Sequence, residues 1–336
     1  MAGLRGRACE HAAMAALEWT VAGGLAGWAA ARLAGADRWR YLEAWAVPVL
    51  SFTPQATAGA WAGVLLIRGR GARGTAALAG AALTAAMASR ALPRRQPPAG
   101  GPALRLLTAN LREGRAAAAS LVELARWTGA DVLFVQELTD EAVTRLERAG
   151  LNALLPHHIT QAVAGGAGGG IYARHPLSDG LAVASASLAQ PSAQLDLPSG
   201  QSIQLVCVHS PPPKPPWSKG AVARWRSELS MLPPPGDTPV ILAGDFNATL
   251  DHAQLRRLLR LGHQDAALQA GTALVPTWRP EPSGCPALLA IDHILIDPRC
   301  AVRATSVHRL PGSDHHALYA RLRLPAGAGR PPAVAT

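Results

Sequence analysis

Asn110, Glu137, His209, Asp245, Asn247 and the Asp314-His315 pair each stand at or near the end of a short apolar run, and this repeated arrangement restricts the fold more than any other feature. An apolar run of strand length is buried, so a polar residue at its end stands at an edge of the core. Where several such ends converge, α/β proteins build sites. Strands are predicted over 104–110, 131–137, 170–173, 202–208, 240–243 and 290–296, with another from Leu318. Helical spacing of apolar residues falls between them, over 120–127, 221–231 and 253–261. The pattern is that of an α/β domain of many strands.

The strongest local signal is Val240-Ile-Leu-Ala-Gly-Asp-Phe-Asn-Ala248. An apolar strand runs into Gly244, where the chain can turn, and then presents Asp245 and Asn247. At alternate positions of an extended segment these two point the same way. Such a pair can position a water and hold a phosphoryl oxygen. Gly312-Ser-Asp-His-His316 sets an acid beside a histidine. In Ala290-Ile-Asp-His-Ile-Leu295, Asp292 is a charge inside an apolar strand. A buried carboxylate needs a partner, and a histidine is a natural one. Its neighbour His293 should point to the opposite face.

Asn110, Gln136-Glu137, His209, the Gly-Asp-Phe-Asn at 244–247, the Ile-Asp-His-Ile-Leu at 291–295 and the Ser-Asp-His-His at 313–316 occur in an order that resembles the endonuclease/exonuclease/phosphatase superfamily. The resemblance spans about residues 104–324 and implies a sandwich of two mixed β-sheets flanked by helices. It also implies a metal-dependent phosphoesterase. Glu137 would be the principal Mg²⁺ ligand, with Asn110 and Asp314 beside it. Hard oxygen donors suit Mg²⁺ or Mn²⁺ better than zinc. Asp245 would orient or deprotonate the attacking water, Asn247 would hold a phosphate oxygen, and His209 would donate to another. His315, oriented by Asp292, would be a second acid/base or a charge stabiliser. Whether Asp245 or His315 takes the water's proton stays open at this level. Arg112 stands where many of the nucleases carry a further acid.

The first third has a different texture. The 44–67 segment is a charge-free run of 24 residues, long enough for a membrane-crossing helix, with Pro48 and Pro54 bending it. Apolar segments at 19–31 and 74–89 flank it. The expectation is a transmembrane region over 1–93 with three helices, a Pro/Gly-rich linker at 94–102, the catalytic domain at 103–326 and a tail at 327–336. The basic, acid-free 68–73 loop would stay cytoplasmic. Three passes would then put the catalytic domain outside a multi-pass cell-membrane anchor. This layout resembles membrane-anchored VanJ-type proteins of actinobacteria.

Charge supports the division. Residues 1–99 hold 11 Lys and Arg against 4 Asp and Glu; the rest of the chain holds 21 against 18. A catalytic domain near balance offers little attraction to a polyanion. A phosphorylated, lipid-linked substrate and a membrane are therefore the expected partners. A tethered nuclease using the same site is the alternative, and no protein partner is expected. Cys9, Cys207, Cys285 and Cys300 lack zinc-like spacing and read as free or buried thiols, with Cys285–Cys300 open as a disulfide.

Overall fold

Alternation of apolar residues in period two builds two sheets that bury one another's inner faces. In the computed structural model, residues 2–180, 187–214, 217–218, 220–280 and 285–326 are described, with side chains from residue 10 onward. The expected tail at 327–336 lies outside them.

Among the described residues twelve strands form the sandwich: β1 (Ala103–Asn110), β2 (Val132–Gln136), β3 (His157–Gln161), β4 (Gly169–Ala173), β5 (Leu177–Asp179), β6 (Ser192–Asp196), β7 (Ser202–His209), β8 (Val240–Asp245), β9 (Gln264–Asp265), β10 (Asp292–Ile296), β11 (Ala301–Arg309) and β12 (His316–Arg323). One six-stranded sheet has the order β11-β12-β1-β2-β4-β3, the other β5-β6-β7-β8-β10-β9. Both are mixed. β1 pairs parallel to β2 and antiparallel to β12, while β7 pairs parallel to β8 and β8 antiparallel to β10.

Leu104, Leu106, Val132, Phe134 and Ile171 of the first sheet meet Ile203, Leu205, Cys207, Ile241, Ala243 and Ile294 of the second in one buried core. The intervening residues face outward. Leu107, Ala109, Leu133 and Val135 pack under α5 (Ala118–Thr128), α6 (Asp140–Arg148) and the short α7 (Leu151–Leu154). Val206, Val208, Val240 and Leu242 pack under α8 (Ala221–Met231) and α9 (Ala253–Arg260). A short α10 (Ala266–Ala270) follows β9. Cys207, Cys285 and Cys300 are free thiols.

The first third folds as α1 (Ala2–Ala34), α2 (Glu43–Leu50), α3 (Thr53–Leu66) and α4 (Arg70–Met87), four helices where three were expected. The 44–67 segment is not one helix. It breaks at Ser51 and Phe52, between α2 and α3. Pro54 has no N–H to give to the Leu50 carbonyl one turn back. The Thr53 hydroxyl takes that carbonyl instead at 2.7 Å, and Ser51 Oγ donates to the Val47 carbonyl at 3.3 Å. Hydroxyls that occupy helix carbonyls in this way compete with continuation of the helix. Among the described residues no helix is long and apolar enough to cross a membrane, which corrects the transmembrane reading.

The 94–102 segment is not a free tether either. Arg94 N donates to the Gln269 carbonyl (2.9 Å), Gln96 Oε1 accepts from Val302 N (2.7 Å), and Gly101 N donates to the Leu324 carbonyl (3.0 Å). It lies along the sandwich because its backbone groups find partners there. The helices dock on the sandwich as well, with Val47 of α2 buried in the apolar layer outside the second sheet.

Candidate catalytic site

Strand parity decides where the polar residues go. Asn110, His209, Asp245 and Asp292 continue the inward-facing sets of β1, β7, β8 and β10, at the end where the inter-sheet core runs out. β7 and β8 align His209 with Asp245, and β8 and β10 align Asp245 with Asp292. Side chains from both sheets therefore meet in one mouth. Gly244 permits this: its φ is 149°, and a Cβ there would stand 1.9 Å from the Val208 carbonyl oxygen.

The backbone is unusual at the same place. Arg112, Glu113, Glu137 and Asn247 are the non-glycine residues with positive φ among the described residues, at 49°, 52°, 57° and 46°. Left-handed conformations at such residues cost energy and gather where function demands them. Asn247 is therefore not on an extended segment with Asp245, as the strand reading supposed. The chain turns back, so that Asn247 N donates to Asp245 Oδ1 (2.8 Å) and Asn247 Nδ2 approaches Asp245 Oδ2 (3.3 Å) and the Ser210 carbonyl (2.9 Å).

Asn110 bridges two carboxylates. Its Nδ2 donates to Glu137 Oε1 (3.0 Å) and Asp245 Oδ2 (3.1 Å), while Oδ1 accepts from Arg112 N (2.9 Å). The partners fix this orientation, since a flipped amide would set oxygen against two carboxylates. Glu137 also accepts from Glu113 N at 2.6 Å. His209 Nε2 stands 3.9 Å from Glu137 Oε1, and its Nδ1 is buried with no partner among the described residues.

His315 Nδ1 is 2.9 Å from Asp292 Oδ2, and its Nε2 is 3.6 Å from Asp245 Oδ2. Burial disfavours the imidazolium, but the two carboxylates outweigh it and push the His315 pKa up to about 10. Burial, with Asp292 and Glu137 nearby, raises Asp245 to about 7 against the opposing pull of His315. Burial and the His315 charge lower His209 to about 3, so its ring is neutral. Asp314 accepts from Trp278 Nε1 at 3.1 Å and adds its field to His315.

Supporting groups stand beside these, and the hydrogen bonds they make could not be read from their motifs. Thr277 Oγ1 accepts from Ile291 N (3.2 Å) and Asp292 N (3.1 Å), setting the start of β10. Ser313 Oγ donates to the Asn110 carbonyl (2.8 Å) and accepts from His315 N (3.0 Å), fastening the turn before β12 to the end of β1 within the first sheet. His293, opposite Asp292 as alternation requires, reaches Asp265 and the Ala248 carbonyl. His316 is half-buried.

Asp245, Asp292 and His315 bring one ligand atom each to within 4.8 Å of one another. Their polar atoms are already engaged as an acid–base chain. The ion-pair contacts of Glu137, Asp245 and Asp292 among the described residues are to His209 and His315, and only His315 is charged. Even with Asp245 raised toward neutrality, the carboxylates outnumber the one imidazolium, and a hard divalent cation offsets such a surplus. The donor set fits such an ion.

A model of the Endonuclease/Exonuclease/phosphatase family matches residues 107–315. Among solved structures, an endonuclease/exonuclease/phosphatase from Beutenbergia cavernae DSM 12333 is similar at 18% identity and TM-score 0.50, covering 67% of this chain and 72% of that one. A humanized D. rerio TDP2 is similar at 20% identity and TM-score 0.51, covering 66% and 98%. At these identities the likeness is one of fold. No curated protein matches the chain.

Proposed function

Because the chain belongs to the endonuclease/exonuclease/phosphatase family, whose members are hydrolases of phosphate esters and phosphodiesters, we propose that it is a divalent-cation-dependent phosphoesterase acting on a lipid-borne phosphate ester or pyrophosphate. The observation that carries the chemistry is the Asp292–His315–Asp245 chain beside Glu137. Glu137 is the residue to hold Mg²⁺ or Mn²⁺, with Asp314 as a further oxygen donor and Asn110 as the bridge that orients Glu137. A bound cation would supply charge neutralisation to the scissile phosphate.

The protein's own groups divide the remaining work. Asp245, raised toward neutrality, is placed to accept the proton of an attacking water. His315 is an imidazolium, so it stabilises developing charge and donates rather than accepts. Asp292 holds it in that state. Neutral His209 offers an N–H to a phosphate oxygen, and Asn247 Nδ2 would reach another by giving up its 3.3 Å contact with Asp245.

Lipid proximity rests on the helical layer. Trp19, Trp45, Trp61, Leu65, Leu66 and Leu78 are exposed there, while Ala22, Ala60, Ala72, Ala76 and Ala79 are buried between helices. Small residues at helix contacts with large apolar ones outside is the pattern of helices in an apolar surrounding. Location at the cell-membrane surface is part of the proposal; assigning its outer face from the basic 68–73 loop requires spanning helices.

Full-length protein should hydrolyse bis(p-nitrophenyl) phosphate with Mg²⁺ or Mn²⁺ and stop in EDTA. A lipid pyrophosphate in vesicles should be cleaved in preference to duplex or single-stranded DNA. Metal-independent turnover would sink the chemistry, and preference for DNA would move the reading to a nuclease.

A further inference from the structure

The turn that carries Asp245 and Asn247 runs on through residues 248–253 into α9, and its two halves have different supports. The near half is held by the sandwich: Trp225 Nε1 donates to the Phe246 carbonyl (3.1 Å), and His293 Nε2 meets the Ala248 carbonyl (2.8 Å). The far half is held from the helical layer. Asp251 is fully buried; its Oδ1 accepts from Arg32 Nε (2.6 Å) and Arg90 Nη2 (2.6 Å), and its Oδ2 from Arg90 Nη1 (2.7 Å).

The grip extends to the next two residues. His252 Nδ1 accepts from Thr249 N (3.0 Å), so Nε2 carries the proton and faces the Val47 carbonyl (2.9 Å) and Ser51 Oγ (3.1 Å). The free N–H of Ala253, at the start of α9, is taken by Asp37 from the layer. A helix end is thus capped by a residue more than two hundred positions away, where a local side chain would ordinarily serve. Packing through Val47, Ala248 and Leu250 supports the segment too, but around Asp251 it is incomplete, because a cavity of about 130 Å³ adjoins it there, bordered by Ser51, Gln55, Arg90, Thr249, Asp251 and Leu288.

We propose that the N-terminal helical layer is a positioning element of the site, and that Asp251, clamped by Arg32 and Arg90, is the positioning residue that fixes where Asp245 and Asn247 stand. Two arginines on one fully buried carboxylate define a single geometry, unlike an apolar contact that can slide. The kinetic consequence rests on the phosphoesterase reading; the structural one does not.

The test uses full-length protein as wild type, Asp251→Asn, Asp251→Glu and Arg32→Gln. Amide hydrogen exchange of residues 246–253 is followed beside Mg²⁺-dependent hydrolysis of bis(p-nitrophenyl) phosphate. Asp251→Asn should speed exchange in that segment roughly tenfold or more while β1 and β2 stay protected. Its kcat should fall about 10²-fold with KM within about twofold, the signature of misplaced catalytic groups. Asp251→Glu should recover most of the rate, because the adjoining cavity has room for one methylene. If Asp251→Asn does not fold, Arg32→Gln, which keeps the bidentate Arg90 contact, should show the same local loosening in smaller degree. Unchanged exchange over 246–253, or a rise spread evenly over the sandwich, overturns the proposal. A wild type that cleaves no phosphoester overturns the phosphoesterase reading, and the exchange result still decides the clamp.

Discussion

Between the sheets of the sandwich, Leu106, Phe134, Ile171, Leu205 and Ile294 fill the space, whereas the helices of the first third meet through Ala22, Ala60, Ala72, Ala76 and Ala79 and turn Trp19, Trp61, Leu65, Leu66 and Leu78 outward. The sandwich is stabilised by apolar area removed from water. The helical layer removes little, and it is fastened to the sandwich largely by polar contacts: Arg32 and Arg90 with Asp251, Arg226 with Glu43, and His252 with Ser51. One region builds the walls of the site on its own apolar core. The other grips the loop that leads from Asp245 to α9, and among the described residues it leaves a large apolar face without a partner.

The largest effect expected inside the sandwich is on chemistry. Glu137→Ala removes the carboxylate proposed to hold the cation and should lower Mg²⁺-dependent turnover by roughly 10³-fold or more, with an unchanged circular dichroism spectrum. Turnover near wild type would remove Glu137 from the metal centre. The acid–base chain should show graded losses. Asp292→Asn keeps a hydrogen bond to His315 but withdraws the charge that holds it as an imidazolium, so its kcat should lie about tenfold above that of His315→Ala. Equal losses would mean that the Asp292 charge contributes no more than orientation.

The contrast between the two interiors is tested by truncating apolar side chains. Phe134→Ala, in the fully buried core between the sheets, should cost about 3–5 kcal/mol in urea unfolding. Leu65→Ala, on the outer face of α3, should change stability by no more than about 0.5 kcal/mol while weakening binding to phospholipid vesicles. A destabilisation at Leu65 comparable with that at Phe134 would place the outer face against protein instead of lipid.

What could be read in the sequence follows the same division. Strands buried on both faces announce themselves as apolar runs, so 104–110, 202–208 and 240–243 were legible as β1, β7 and β8. The polar residues that close these runs were legible with them, because a strand end with a carboxylate or imidazole has few other uses. Edge strands were not: β11, Ala301–Arg309, lies at the margin of its sheet, half-buried along much of its length, and Arg303 and Arg309 interrupt any alternation. The turn at Asn247 was misread because a left-handed residue is invisible when it is not glycine. The clamp at Asp251 was out of reach because its partners are separated from it by 219 and 161 residues. Pro54 was legible as a bend, but that Thr53 and Ser51 would turn the bend into a break depends on hydroxyl geometry that periodicity does not report.

The smallest effect expected distinguishes the regions by the sign of their pH dependence. In the sandwich, His293 lies between Asp265 Oδ2 (2.7 Å) and the Ala248 carbonyl (2.8 Å), so only the imidazolium can donate to both. Burial opposes that charge, but the hydrogen bond and charge of Asp265 outweigh it, and the His293 pKa is raised above its ordinary value of 6.5. A raised histidine contributes stability that is fully present below 6.5 and is lost as pH climbs through the folded value. At the layer, burial would raise Asp251, but Arg90 and Arg32 hold it below its ordinary 3.8. Its contribution is present above 3.8 and is lost as pH falls through the depressed folded value. The urea midpoint of His293→Gln should therefore approach that of wild type as pH rises above about 6.5, while that of Asp251→Asn should approach it as pH falls below about 4. Loosening of 249–253, the half that Asp251 anchors, should accompany the acid limb alone. A gap for His293→Gln that widens with rising pH would mean that this histidine is buried neutral, with the Ala248 carbonyl as its one accepting partner.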